Sequence, residues 1–290
     1  MKIGVSSYSF SRLMDSGAMT EFEVIEKAAE MGFEVIEFAG LRPPEGVPVG
    51  VYAGRVRGAC AAAGLPVANY TVAADFLHGS GGDLDAEIER VRGEVRIAEA
   101  LGAPGMRHDA AWGFSEAYAG PRSFAAALPR IAKGCRAVTE YAALLGIRTM
   151  VENHGYFCQD SERVERLICA VNHANFGLLM DLGNFMCVDE DPAAAAGLLA
   201  PYTFHAHAKD FHWKSGDTPD PGEGWFPTRA GNRLRGAIVG HGEVPLRRCL
   251  RLLKKDGFDG VLSLEFEGIE EPLSGIALGL ENLRRAVAES

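Results

Sequence analysis

The sequence predicts an α/β protein, a single-domain (β/α)8 TIM barrel spanning residues 1–290. Three observations carry that expectation. Eight strand-like runs follow one another along the chain, with helical spacing between them. The connections are mostly short, and no low-complexity linker or internal repeat divides the sequence. A length of 290 residues suits one barrel with a deep core. An open doubly wound sheet shows the same alternation and is the main rival.

The elements follow in order. KIGVSSYSF (2–10) opens the series, and TEFEVIEKAAEMG after it sets Thr20 and Glu23 in capping-box spacing with Gly32 as the stop. FEVIEFAG (33–40) and LPVANYTV (65–72) are the second and third strands. In DLDAEIERVRGEVRIAEALG, Leu84, Ile88, Val91, Val95 and Leu101 form one stripe, as a helix covering a sheet requires. PGMRHDAAW (104–112) comes next. The helix after it carries the stripe Leu128, Ile131, Cys135, Val138, Ala142 and Leu145, with Pro129 sitting early or kinking it. IRTMVENH (147–154), FGLLMDLGNF (176–185), TFHAHAKDF (203–211) and GVLSLEFEG (260–268) complete the eight. The one long irregular stretch, rich in Gly and Pro at 214–246, falls between strands seven and eight and reads as a lid-like insertion.

A formal net charge of −10 argues against a protein that reads the backbone of nucleic acids. The six cysteines are scattered without a C-x-x-C pair, which fits reduced packing residues of a cytoplasmic protein. The first residues lack the apolar block of a signal peptide, and no run reaches the roughly 18 apolar residues of a membrane span. Neither a nucleic-acid nor a membrane partner is expected, and a homo-oligomer is compatible with these totals.

Function is written at the ends of the last four strands. Glu152, Asp181, His207 and Glu265 each alternate with apolar neighbours, on the side opposite Val151, Met180, Ala206 and Leu264. In a barrel the apolar set lies under the helices, so the charged set faces the lumen. Enclosing three carboxylates together costs several kcal/mol for each unpaired one, and Lys209 brings only one positive charge. A divalent metal held by Glu152, Asp181, His207 and Glu265 balances the charge. Three carboxylates and an imidazole suit Mn²⁺, Mg²⁺ or Co²⁺, with Zn²⁺ or Fe²⁺ also acceptable. The bland readings are that each glutamate caps a helix or pairs with arginine, and that His205 is a packed core histidine. His154 and Asn153 read as groups orienting Glu152 or as loop polar residues. Glu37 is lumen-facing and either structural or in reach of substrate. Arg107 and His108 have no assignable face, and His212 and Trp213 start the insertion.

These blocks, IGVSSYSF, MGFEVIEF, VENHG, MDLGN, HAHAKD, GHGEVPL and LSLEFEG, resemble in order those of the xylose isomerase-like superfamily of sugar phosphate isomerases and epimerases, over essentially the whole chain. The resemblance implies the same four metal ligands, with Glu152 and Glu265 as the catalytic acid/base pair. It implies proton abstraction next to a carbonyl through a metal-stabilised enediolate of a carbohydrate. His154, Asn184, Lys209, Glu37 and Arg229 are the candidate substrate contacts. Two positions depart from ketose 3-epimerases: Asn184 stands where they carry a substrate-binding His, and Cys158 where they carry a Glu. The expected function is a manganese- or related metal-dependent isomerase or epimerase of carbohydrate metabolism. The alternatives are a metal-dependent lyase that enolises a keto sugar or inosose and then eliminates, endonuclease IV-like DNA repair, and a non-catalytic sugar-binding barrel.

Overall fold

A computed structural model describes residues 1–116 and 118–290. Eight parallel strands close into a barrel: β1 (Lys2–Ser6), β2 (Val35–Ala39), β3 (Val67–Val72), β4 (Gly105–His108), β5 (Arg148–Glu152), β6 (Phe176–Asp181), β7 (Thr203–Ala208) and β11 (Val261–Leu264). Each β-strand neighbours the next in sequence, and β11 closes onto β1 through the pairing of Gly4 with Ser263. The predicted α/β barrel is therefore the fold, and the open sheet is excluded by that closure.

A short helix α1 (Ser11–Asp15) precedes the outer ring, which is α2 (Glu21–Glu30), α3 (Val49–Ala62), α4 (Leu84–Leu101), α5 (Phe124–Leu144), α6 (Ser161–Val171), α7 (Pro192–Leu199), α8 (Leu246–Lys255) and α9 (Pro272–Ala288). Their starts are fixed locally. Thr20 and Glu23 form the capping box of α2, and Asp83 accepts from two backbone N–H groups at the head of α4. Most of each stripe read in the sequence is buried: Ile88, Val91, Val95 and Leu101 on α4 are each at most 5% exposed, which removes water from the outer face of the sheet, while Leu84, Leu128 and Leu145 near the helix ends are only half-buried. Pro129 sits in the second turn of α5. Among the described residues no helix is long and apolar enough to cross a membrane.

The stretch read as irregular contains part of a small sheet. Asp210 leaves the barrel wall and begins β8 (Asp210–Lys214), which pairs antiparallel with β10 (Arg233–Ala237), and β10 pairs with β9 (Phe226–Pro227). The short strands are flanked by Gly and Pro, which masks their alternation in the sequence. Asp210 ties the two ends of this insertion together. Its carboxylate accepts from the backbone N–H groups of Phe211, Gly240, Gly242 and Val244 at 2.8–3.0 Å. A side chain at Gly242 would strike that carboxylate, since an added Cβ would lie 2.3 Å from its Oδ1.

Candidate active site and metal centre

Strand register brings the site together. Asp181 on β6 pairs in register with His207 on β7, and His207 with Ser263 on β11, two residues before Glu265. Glu152 on β5 pairs with Leu179, two residues before Asp181. The stagger of tilted barrel strands carries these side chains up to one level. Glu152, Asp181, His207 and Glu265 thus offer ligand atoms that all lie within 4.8 Å of one another, every residue buried.

What surrounds them is more charged than the sequence reading allowed. Arg107 Nε meets Glu152 Oε2 at 2.6 Å, and its Nη2 meets Asp109 Oδ1 at 2.9 Å. Lys209 Nζ lies 2.7 Å from Glu265 Oε2, 3.2 Å from Asp181 Oδ2 and 3.3 Å from Glu267 Oε1. Among the described residues, Glu37, Asp109, Glu152, Asp181, Glu265 and Glu267 therefore face two permanent cations, Arg107 and Lys209. Were all six ionised, four negative charges would remain, which favours a bound cation or protons among them.

The titration behaviour follows from this crowding. Burial raises the pKa of Glu152, only partly opposed by Arg107. Burial also works against the charges of Glu265 and Lys209, but their mutual attraction and the neighbouring carboxylates win, so Glu265 is held well below its ordinary value and Lys209 well above. His207 is likewise pushed up: Glu37 and Glu265 outweigh its burial. Burial lowers His205 to about 4, leaving it neutral, and its Nε2 contacts Ser263 Oγ at 2.8 Å.

The donor set fits a divalent cation. Asp181 Oδ2 and His207 Nδ1, both fully enclosed, have no partner in hydrogen-bonding geometry, and they face the same point as Glu265. Asp181's other oxygen accepts from the N–H groups of Gly183 and Asn184 at 2.8 and 2.9 Å, so the free one is aimed inward. His207 turns its Nε2 to Glu37, leaving Nδ1 for the centre. A carboxylate behind an imidazole fixes its tautomer and raises its donor strength.

Not every residue picked from the sequence lands in the pocket. His154 and Lys209 line the central cavity of about 180 Å³, together with Tyr8, Thr71, Arg107, Glu152, Glu265 and Glu267. Asn184 has both ends of its amide engaged, donating to Glu152 Oε1 at 3.0 Å and accepting from Lys209 Nζ at 3.3 Å. Glu37 lies wholly buried beneath the cavity, holding His207 and accepting from Asn69 Nδ2 at 3.3 Å. Arg229 does not reach the cavity at all. Its guanidinium pairs with Asp160 at 3.0 Å and donates to the Tyr156 carbonyl, latching the insertion to the loop after β5. Asp189 reinforces the latch by accepting from Thr228, Ala230 and Asn232. These contacts anchor the insertion expected at 214–246 to the rim of the barrel. Asn153 exchanges hydrogen bonds with the Asp181 backbone at 2.9 Å in each direction and so positions a ligand on the next strand.

Arg107, Asp109 and Trp112 complete the site without having been assigned to it. In RHD, Arg107 and Asp109 alternate with His108, so the period-two signal was present. It lacked an apolar partner face to orient it, because His108 occupies that face, packed between Phe76 and Phe176. Trp112 stands edge-on to His154, with ring centroids 5.2 Å apart, over Gly155. Gly155 has φ +77°, and an added Cβ there would sit 2.9 Å from the indole.

Comparison with solved structures reproduces the whole barrel. A 3-keto-D-glucoside 4-epimerase from E. coli shares 18% identity, with 98% of this chain and 99% of that one covered at a TM-score of 0.70. An L-ribulose 3-epimerase shares 16% identity, covering 99% and 95% at 0.71. A probable 3-DHS dehydratase from Bacillus anthracis shares 19%, covering 98% of each chain at 0.71. At such identities the likeness is one of fold. No curated protein matches the sequence. The sequence model of the xylose isomerase-like TIM barrel matches residues 25–286, from α2 through nearly all of α9, and the chain belongs to that family.

Proposed function

We propose that the protein is a metal-dependent isomerase or epimerase of a sugar or sugar derivative. The observation that carries this reading is the convergence of Asp181 Oδ2 and His207 Nδ1, neither with a partner in hydrogen-bonding geometry and the first 3.2 Å from Lys209 Nζ, with Glu152 and Glu265 at the floor of an open polar cavity. Glu152, Asp181, His207 and Glu265 would hold the ion, for which manganese, magnesium or cobalt is best suited, and when bound it would polarise substrate oxygens and favour negative charge beside a carbonyl.

The chain supplies the proton handling. Glu152 and Glu265 come from β5 and from the end of β11, with β6 and β7 between them, so they flank a substrate from two sides. Glu265, kept ionised beside Lys209, takes the proton from the carbon next to the carbonyl. Glu152, on the other side, returns a proton to that carbon. Arg107 and Asn184 hold Glu152 in place, and Lys209 supplies positive charge to substrate oxygens.

A second reading, elimination from a keto sugar, has its own support. His154 is about one-third exposed beside the cavity, and its Nδ1 contacts Asp109 at 3.0 Å. That dyad is suited to protonating a leaving hydroxyl, which epimerisation does not need. The test is incubation of the metal-loaded protein with keto sugars in heavy water. Isomerisation or epimerisation gives deuterium at one carbon of a recovered sugar, elimination gives a new enone absorbance, and no exchange in any substrate refutes both readings.

A further inference from the structure

The cavity above the carboxylates is only the middle of a longer trough. At about 180 Å³ it falls below the roughly 300 Å³ at which small-molecule pockets usually begin, and it suits one compact polar unit. Ala39, Thr71, Arg107 and His154 also line a second cavity of about 630 Å³ that runs outward over the ends of β2, β3 and β4. Beyond Trp112 and His154, which line both, a space of about 220 Å³ ends against Phe211 and Phe226 of the insertion. Of these two flanking spaces, the one over β2–β4 is the larger and the more open.

The open side has a different chemistry. Leu41, Pro43, Val49, Val72, Ile97 and Trp112 line it. Several of its polar groups are tied to one another or to the backbone: Tyr70 donates to Glu94 at 3.0 Å, Arg90 binds Glu87 and the Ala73 carbonyl, and Arg107 binds Asp109, while His154 at its inner end stays accessible. Trp112, half exposed, offers an indole edge to both cavities. Such a surface gains from burying a flat apolar group and offers few free partners to a second sugar ring.

Building on the sugar-enzyme reading above, we propose that the substrate is a keto-glycoside, whose ring ketone supplies the carbonyl needed at the carboxylates and whose flat, apolar aglycone lies in the β2–β4 cavity against Trp112. Calorimetric titration of the metal-loaded protein with p-nitrophenyl and methyl glycosides of glucose, galactose and mannose tests it. At least one p-nitrophenyl glycoside should bind about tenfold or more tightly than its methyl counterpart. Val49→Asp, at the first turn of α3 where a carboxylate favours the helix, should remove that advantage and leave methyl-glycoside affinity as it was. Ala73→Trp, at an exposed position on the same cavity, is the second variant and should do the same. Equal binding of aryl and methyl glycosides, or an equal loss of both in the variants, overturns the proposal. An aryl preference without deuterium exchange in any sugar would leave the cleft assignment standing and remove the isomerase reading. Exchange in free keto sugars without aryl preference would do the reverse.

Discussion

The mouth of the barrel has two unlike halves. Strands β5, β6, β7 and β11 and the residues just past their ends contribute Glu152, Asp181, His207, Lys209 and Glu265, packed into a cluster of ion pairs and hydrogen bonds. Strands β2 and β3 contribute Ala39, Thr71 and Val72, small side chains that leave room for a cavity of about 630 Å³. Arg107 on β4 stands at the border and serves both. The contrast is one of chemistry: one half concentrates buried charge, while the other provides shape. Glu37 breaks the pattern, a carboxylate on β2 that crosses the floor to hold His207.

The sharpest way to break this comparison is to neutralise the charged half. Glu265→Gln and Glu152→Gln each keep side-chain volume but remove a proton carrier, and deuterium exchange should fall on the order of 10³-fold. If both variants exchange at the parental rate, the charged half is not the chemical half.

The quieter half carries a titration of its own, in the outer layer behind β4. His108 is fully buried, and burial lowers its pKa from 6.5 to about 4, so the fold favours the neutral ring. Its contribution is complete above pH 6.5 and is lost as pH falls toward 4, worth about 3 kcal/mol at most. His108→Phe should flatten that part of the acid dependence, read from urea unfolding of metal-free protein between pH 4 and 7. A variant with the parental slope would place the acid sensitivity elsewhere.

Glu37→Gln tests the residue that joins the halves. Because it acts through the imidazole, metal affinity measured by chelator competition should drop by about 10- to 100-fold. Unchanged affinity would mean that the contact with His207 does not orient it. The smallest effect belongs to Arg229→Ala. Its partly exposed ion pair contributes no more than about 1 kcal/mol, and the expected readout is faster proteolytic cleavage within 214–232 with unchanged exchange. Loss of substrate affinity instead would return Arg229 to the cavity.

The charged half was largely legible in the sequence because parallel strands expose a two-residue alternation, and carboxylates on the wrong face stand out against Leu, Val and Ala. The metal candidates Glu152, Asp181, His207 and Glu265 came from that signal alone. Arg107 escaped it because His108, a buried polar residue, erased the contrast on its own strand. The role of Glu37 depends on a contact between β2 and β7, on separate arcs of the barrel, which no local pattern records. The open cavity was invisible for a similar reason: Leu41, Val49, Val72 and Ile97 each read as ordinary packing residues, and only the closed barrel assembles them into a wall. The insertion was found by length and composition, but its sheet and its latch at Asp189 and Asp160 depend on pairings between distant segments.

The carboxylate of Asp210, gripping both stems of the insertion, makes that segment behave as a graft. With its roots clamped at a fixed separation, its exposed turn at 217–224 can change in length or sequence with little strain reaching the staves. One catalytic chassis can thereby be refitted at its rim for a different clientele while the buried machinery stays as it is.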